Sequence, residues 1–211
     1  MVYSGKGDKG ETANFSAQLV SKNDPLLHFT GSLDELNSYL GLIRAMLSNE
    51  DSWQFAWKSS CNFIELIQRN LMKIMAGVNT PRASVPQGYA QSANAPNAGA
   101  NAPDAQKILL AETDINVLEN EINRLSKNLP KIRQFIIPGK NIIEAQIQVA
   151  RTIARKAERY FFALDIRRLN KERFICSNAG AYLNRLSDYL FVLSQQESLI
   201  NVNFINQISG L

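Results

Sequence analysis

The chain of 211 residues contains one histidine and two cysteines, Cys61 and Cys176, which stand far apart in sequence. Without a CxxC pair or a Cys/His cluster, the sequence argues against a zinc site and a disulfide framework, and we predict no protein-bound metal centre. The sole histidine, His28, has no evident partner for a Ser/His/Asp or Cys/His triad. Two reduced thiols are typical of a reducing compartment.

Long apolar runs are also missing. No stretch reaches the roughly 18 residues that a membrane span requires, and the N-terminal residues have no hydrophobic region of a secretory signal. We therefore expect a cytoplasmic protein without membrane contact. The formal net charge of +4 suits an anionic ligand. No helix-turn-helix pattern or dense Lys/Arg run is present, so we expect no nucleic-acid partner.

Apolar residues recurring at helical spacing predict five helices. The first is expected to begin at Ser32, because Ser32-x-x-Glu35 matches a capping box. The others are expected at about 51–75, 113–127, 141–164 and 179–195, with residues 201–211 loosely structured. Residues 1–31 carry no sustained period and form what we call the N-terminal arm. The predicted fold class is all-α, a five-helix bundle with an irregular N-terminal arm.

A stretch at about 79–106 interrupts the helical pattern. It holds Pro81, Pro86, Pro96 and Pro103 among repeated Ala, Asn, Gly and Ser. Such a composition lacks the apolar groups that offset the entropy of ordering, so the sequence predicts an exposed, flexible loop. The helices on both sides read as parts of one bundle, and we therefore predict a single domain over residues 1–211.

The arm contains Gly5-Lys-Gly-Asp-Lys-Gly10, which matches G-x-G-x-x-G by letter. A dinucleotide-binding motif needs a strand before it and a helix after it, and neither is predicted here. No Gly-Lys-Ser/Thr closes a Walker A motif either. Two interpretations remain for this segment with Lys6 and Lys9: it wraps a polyphosphate through free N–H groups and ammoniums, or it is a mobile basic terminus.

The predicted fourth helix carries Arg151, Arg155, Glu158 and Arg159 on one face, while Lys156 lies about 100° around from Arg155. Cations gathered on one face repel each other unless an anion joins them. Triphosphate is such an anion, because the arginine fork matches phosphate oxygens. A solvated face or a salt-bridge network between subunits would explain the same pattern.

The predicted fifth helix places Asn184 one turn from Asp188, off its leucine stripe. Such an asparagine can hold a ligand hydroxyl or base edge, but more often it bonds a neighbouring helix. Tyr182, Tyr189 and Phe191 are more simply core residues. Asp34 lies in the first turn of its predicted helix, where a carboxylate is favourable in any case. Its presence alone therefore does not indicate a function.

Five segments together resemble the PduO-type corrinoid adenosyltransferase family over nearly the whole chain. They are Val2-Tyr-Ser-Gly-Lys-Gly-Asp-Lys-Gly-Glu-Thr12, Gly31-Ser-Leu-Asp-Glu-Leu-Asn37, Phe135-Ile-Ile-Pro-Gly139, Ala150-Arg-Thr-Ile-Ala-Arg-Lys-Ala-Glu-Arg159 and Leu183-Asn-Arg-Leu-Ser-Asp188. Ser21-Lys-Asn-Asp-Pro25 also falls at the family's spacing. The resemblance implies transfer of the 5′-deoxyadenosyl group of ATP to the cobalt of reduced cob(I)alamin, which releases triphosphate and forms adenosylcobalamin.

The resemblance also implies a homotrimer whose active sites lie between subunits and bind ATP with Mg²⁺ and a corrinoid. A corrinoid reductase and an adenosylcobalamin-dependent enzyme are the implied partners. The implied nucleotide contacts are Ser4, Gly5, Lys6, Gly7, Asp8, Thr12, Ala13, Lys22, Arg155, Lys156, Ala157, Glu158, Arg159 and Asn184. The implied catalytic residues are Arg155, Asp34, Arg151 and Phe135. Among these, Arg151 would pair with Asp34 on the corrinoid side, and Phe135 would press on the lower face of the corrin.

The chain departs from the family pattern at several positions. Gly5 and Lys6 displace the cation of the arm by one residue, and Thr30 stands where the family has an aromatic or small residue. Lys156 replaces the second arginine of R-R-A-E-R and loses its bidentate geometry. These departures leave an alternative open, in which the chain is an ATP- and corrinoid-binding relative whose catalysis is weakened or lost.

Overall fold

The structure is a computed structural model. It describes residues 5, 7–13, 19–48, 54–79, 110–127, 129–131, 135–165 and 178–209, with the backbone alone at 13, 54–57 and 200–209. The loop predicted at 79–106 lies, except for Asn79, outside the described residues. None of the helices in these ranges has an uninterrupted apolar stretch of the length that a membrane span needs.

In the part of the chain that the structure describes, five long helices follow a short pair of strands, which confirms the predicted all-α bundle. The helices are α1 (Pro25–Ser48), α2 (Gln54–Asn79), α3 (Glu112–Ser126), α4 (Ile142–Ala163) and α5 (Ala179–Ser209). The strands are β1 (Glu11–Ala13) and β2 (Leu19–Ser21), which pair antiparallel with Thr12 opposite Val20. The arm is therefore not wholly irregular, since it contains this ladder.

Helix α1 begins seven residues before the predicted start at Ser32. The Asp24 carboxylate accepts a hydrogen bond of 2.8 Å from Leu26 N–H, and Pro25 occupies the first helical position. Both are strong helix-start signals. Ser32 is buried inside the helix, and its hydroxyl donates to the Phe29 carbonyl at 2.7 Å. The capping-box interpretation of Ser32 and Glu35 is wrong, and the arm ends at Asp24.

The two C-terminal helices differ in how well their ends were predicted. Helix α4 begins as expected after Asn141, whose side chain accepts from Glu144 N–H at 2.8 Å. Helix α5 continues to Ser209, so the expected loose structure is wrong for residues 201–209. The sequence has no Gly or Pro between Gly180 and Gly210 to stop the helix, and that absence explains its length.

The core lies where α4 packs against α1 and α5, with α2 against α1 and α3 against α5. Gly180 permits the close approach of α5 to α4, because a Cβ there would lie 2.9 Å from Cε1 of the Phe161 ring. The predicted burial of Tyr182 and Tyr189 is confirmed, whereas Phe191 is half-buried. Burial raises the pKa of Tyr182. This packing fixes α4, and therefore which of its residues face outward.

Candidate functional site

The described part of the arm forms a turn with a lysine folded over it. Gly5 and Gly10 have φ of 67° and 82°, values that glycine adopts without strain. Backbone hydrogen bonds close the turn, from Asp8 N–H to Gly5 and from Lys22 N–H to Gly10. A Cβ on Gly7 would lie 3.2 Å from Lys22 Nζ, so a larger residue there would displace that ammonium by a few tenths of an ångström. A cation beside glycine backbone suits an anionic group.

Helix α4 presents two arginines to solvent, one turn apart. Arg155 and Arg159 are exposed, and neither has a hydrogen-bond or ion-pair partner among the residues that the structure describes. We call these two residues the cationic face. Like charges at this spacing repel each other, and an anion bound by both would relieve the repulsion.

Lys156, in contrast to Arg155 and Arg159, has an ion-pair partner. Its ammonium forms an ion pair with the carboxylate of Glu35 on α1. Lys156 therefore points away from the cationic face toward α1, in keeping with its position about 100° around the helix from Arg155. The next residue, Ala157, is fully buried and packs in the core.

Two of the predicted nucleotide contacts touch each other. Asn184 Nδ2 on α5 donates to Glu158 Oε1 on α4 at 2.9 Å, and Asn184 Oδ1 accepts from Arg185 Nη1 at 2.8 Å. Arg185 also donates to Glu119 on α3 at 2.8 Å and lies 3.4 Å from Asp188. A polar cluster from three helices thus borders the cationic face, and it fixes the amide of Asn184.

The residues predicted for the corrinoid side form no hydrogen bond or ion pair with one another within the described part of one chain. Arg151 Nε donates to Gln148 Oε1 at 2.7 Å, and Gln148 in turn donates to Ser194 on α5 at 2.9 Å. Asp34 is exposed on α1 and forms no ion pair with Arg151 inside the protomer. Phe135 is fully exposed in the segment that leads into α4, so its ring is free to contact a ligand.

The described portions of the arm and the cationic face are joined by no hydrogen bond or ion pair. Ser4 and Lys6 lie outside the described residues, and of Ala13 only the backbone is described. Gly5, Gly7, Asp8, Thr12 and Lys22 belong to the described arm. The predicted nucleotide contacts therefore form two groups that no hydrogen bond or ion pair joins within the described residues of one protomer.

Two acidic residues with structural roles near these groups, Glu144 and Glu35, were not predicted as site residues from the sequence. Glu144 is fully buried, and its Oε2 accepts from the backbone N–H of Gly139 at 2.7 Å and of Lys140 at 3.1 Å. These bonds hold the turn that follows Phe135, where Gly139 has a φ of 107°. Glu35 was assigned to a helix cap, but it pairs with Lys156 across 121 residues of sequence. Only the Asn141-x-x-Glu144 spacing offered a signal for Glu144.

The fold and the cationic face define a helical-bundle protein suited to a polyanionic ligand. Comparison with known proteins gives the family. Residues 2–197 match the family described as Cobalamin adenosyltransferase, and the chain belongs to it.

The chain is similar to the corrinoid adenosyltransferase of Citrobacter freundii, with 30% identity over 93% of this chain and 94% of that protein. It is also similar to the corrinoid adenosyltransferase of Mycobacterium leprae, with 30% identity over 92% of this chain and 89% of that protein. The chain spans about half, 49%, of a second Citrobacter freundii relative, Corrinoid adenosyltransferase PduO, at 31% identity over 93% of this chain.

Solved structures agree with this assignment. A phenylalanine-to-alanine variant of the PduO-type ATP:corrinoid adenosyltransferase from Lactobacillus reuteri, complexed with cobalamin and ATP, superposes with a TM-score of 0.69. It is 27% identical, and the match covers 95% of both chains. An arginine-to-lysine variant complexed with ATP gives a TM-score of 0.68, also at 27% identity and 95% coverage of both chains.

Proposed function

We propose that this protein is an ATP:corrinoid adenosyltransferase. It transfers the 5′-deoxyadenosyl group of ATP to the cobalt of reduced cob(I)alamin, releasing triphosphate and forming adenosylcobalamin. The observation that carries the proposal is the cationic face, in which Arg155 and Arg159 stand exposed and unpaired among the described residues of a member of this family. A PduO-type relative of the same fold is complexed with cobalamin and ATP.

The nucleotide side of the site is proposed to combine the two separate groups of residues. Arg155 and Arg159 bind the triphosphate through charge-assisted hydrogen bonds. The glycine-rich turn and Lys22 cover the phosphates from the arm, and Asn184 holds the nucleoside. ATP enters with Mg²⁺, which binds through phosphate oxygens. The full proposed set is Ser4, Gly5, Lys6, Gly7, Asp8, Thr12, Ala13, Lys22, Arg155, Lys156, Ala157, Glu158, Arg159 and Asn184.

The corrinoid side is proposed to use Phe135, Arg151 and Asp34. The exposed ring of Phe135 presses on the lower face of the corrin and keeps a nucleotide base off the cobalt. A four-coordinate cobalt(II) is then easier to reduce. Arg151 and Asp34, which do not pair within one protomer, form an ion pair across the subunit boundary.

In the reaction, a cobalt–carbon bond forms as cobalt(I) attacks C5′ of ATP. The bond from C5′ to the triphosphate oxygen breaks, and its electron pair leaves with triphosphate. The protein supplies no nucleophile of its own. It holds the two substrates in line, and Arg155 and Arg159 stabilise the charge that develops on the leaving group. A cationic face without its own counter-ions is suited to that role.

The active unit is proposed to be a homotrimer in the cytoplasm, served by a corrinoid reductase and supplying an adenosylcobalamin-dependent enzyme. Because no hydrogen bond or ion pair joins the described arm to the cationic face within one protomer, we infer that a neighbouring subunit completes each site in a cyclic assembly. Light scattering tests this assembly. A trimer of the 23.6 kDa chain gives a mass of about 71 kDa, three times the protomer mass, and a monomeric mass at micromolar protein contradicts it.

A second candidate function is that of a relative that binds ATP and a corrinoid without turnover. The ion pair that occupies Lys156, at a position where the family has arginine, favours it. An anaerobic assay with cob(I)alamin and MgATP, followed by its visible spectrum, separates the two. Conversion to adenosylcobalamin supports the transferase, whereas tight ATP binding without an alkylcobalt product supports the second candidate.

A further inference from the structure

The ion pair between Lys156 and Glu35 lies beside the cationic face. The Lys156 side chain is 35% exposed and that of Glu35 is 49% exposed. Ion pairs at such exposure contribute little net stability, because water solvates both partners almost as well. Either side chain can therefore change partner at small cost.

Lys156 stands next to Arg155 in sequence and about 100° from it around α4. A long, flexible ammonium side chain at that position can reach either α1 or a ligand on the cationic face. Triphosphate carries several negative charges, whereas Glu35 carries one. Once released, the Glu35 carboxylate returns to solvent and meets no burial penalty, because it is half-exposed.

We propose that Glu35 is a counter-ion that the triphosphate of ATP displaces from Lys156, so that Glu35 sets the affinity for nucleotide. In the free protein, Glu35 holds the Lys156 ammonium on the α1 side. In the complex, Lys156 joins Arg155 and Arg159 on the phosphates. This inference rests on the proposed function, because it requires nucleotide on the cationic face. Glu35 is a positioning residue, since it acts through Lys156 and touches no substrate.

A double-mutant cycle on ATP affinity tests the exchange. Dissociation constants are measured by calorimetry with Mg²⁺ at fixed salt for the wild type, Glu35→Gln, Lys156→Gln and the double variant. Glu35→Gln removes the competing charge and should tighten ATP binding about two- to fivefold, the range that an exposed ion pair allows. Lys156→Gln should weaken binding, and Glu35→Gln should add nothing in that background.

The matched control is Glu65→Gln, which removes an acid paired with Arg44 in another ion pair between helices and with Arg69 on its own helix. It changes the net charge equally and should leave the ATP dissociation constant unchanged. Inorganic triphosphate is the second probe, and it should gain affinity from Glu35→Gln as ATP does, because the exchange involves only phosphate. Circular dichroism checks the fold, and Glu35→Ala replaces Glu35→Gln if that variant is unstable.

Unchanged or weaker binding by Glu35→Gln overturns the exchange. If Glu35→Gln tightens ATP binding equally in the Lys156→Gln background, the exchange is also overturned. The gain would then come from removing the negative charge of Glu35 near the ligand and would not involve Lys156. If the wild type binds neither ATP nor triphosphate, the proposed function fails together with this inference. If the wild type binds ATP and Glu35→Gln brings no gain, the inference fails alone.

Discussion

The side-chain amide of Asn184 donates a hydrogen bond of 2.9 Å to the Glu158 carboxylate, which joins α5 to α4 beside the cationic face. The two residues come from different helices and are 26 positions apart. Because Asn184 Oδ1 is engaged by Arg185, the orientation of the amide is fixed from both ends. A group held this way is prepared to recognise a ligand without reorganising.

Asn184→Asp should disrupt this arrangement more than its small change in size suggests. The substitution removes the donor to Glu158 and places two carboxylates in contact. We expect ATP binding to weaken about tenfold or more, the effect of losing a hydrogen bond to a charged group. Calorimetric titration measures it. The control is Asn116→Asp on the exposed side of α3, and equal effects of the two substitutions would contradict the role of Asn184.

Arg155→Ala should lower turnover by about one to two orders of magnitude or more and leave the fold intact. Arg155 is exposed and unpaired among the described residues, so its loss opens no cavity. Losing its charge-assisted contact to triphosphate should cost about 1.5–3 kcal/mol or more. Steady-state kinetics and a melting curve measure the two effects. Arg69→Ala removes an exposed arginine of α2 and serves as the control. Near-normal kinetics in a folded Arg155→Ala protein would remove this residue from the site.

Gly180→Ala should destabilise the bundle. The new methyl group would lie 2.9 Å from the buried Phe161 ring, which also packs against Phe29 at a ring distance of 5.5 Å. Overpacking of this kind costs about 1–3 kcal/mol, more than the gain of about 1 kcal/mol that alanine brings to a helix. Thermal unfolding should show a lower Tm. Gly41→Ala is the control, since its Cβ makes only an ordinary contact at 3.5 Å, and its Tm should hold or rise.

Glu144→Ala should affect the corrinoid more than the nucleotide. The substitution removes the acceptor for the N–H groups of Gly139 and Lys140 and frees the turn that follows Phe135. We expect stability to fall by about 1–3 kcal/mol and the KM for corrinoid to rise while the KM for ATP changes little. Glu144→Gln keeps an acceptor oxygen and should be milder. Equal rises in both KM values would contradict this role.

The sequence predicted the five helices because their apolar stripes are long and regular, and it predicted the start of α4 because Asn141 caps locally. It misplaced the start of α1 because Ser32-x-x-Glu35 fits a cap by letter while Asp24 and Pro25 already begin the helix. The Lys156–Glu35 pair could not be read from spacing, since it joins residues 121 positions apart that only the bundle brings together. Local signals are readable in one sequence, whereas contacts set by packing are not.

The fate of C5′ of ATP tests the central claim most directly. The wild-type protein is incubated anaerobically with cob(I)alamin and MgATP that carries ¹³C at C5′, and the products are examined by NMR and ion chromatography. The account predicts that the label becomes bonded to cobalt and that one triphosphate is released for each adenosylcobalamin formed. Release of ADP and phosphate would contradict it. Recovery of labelled ATP with no cobalt–carbon bond, after long incubation with excess protein, would contradict it as well.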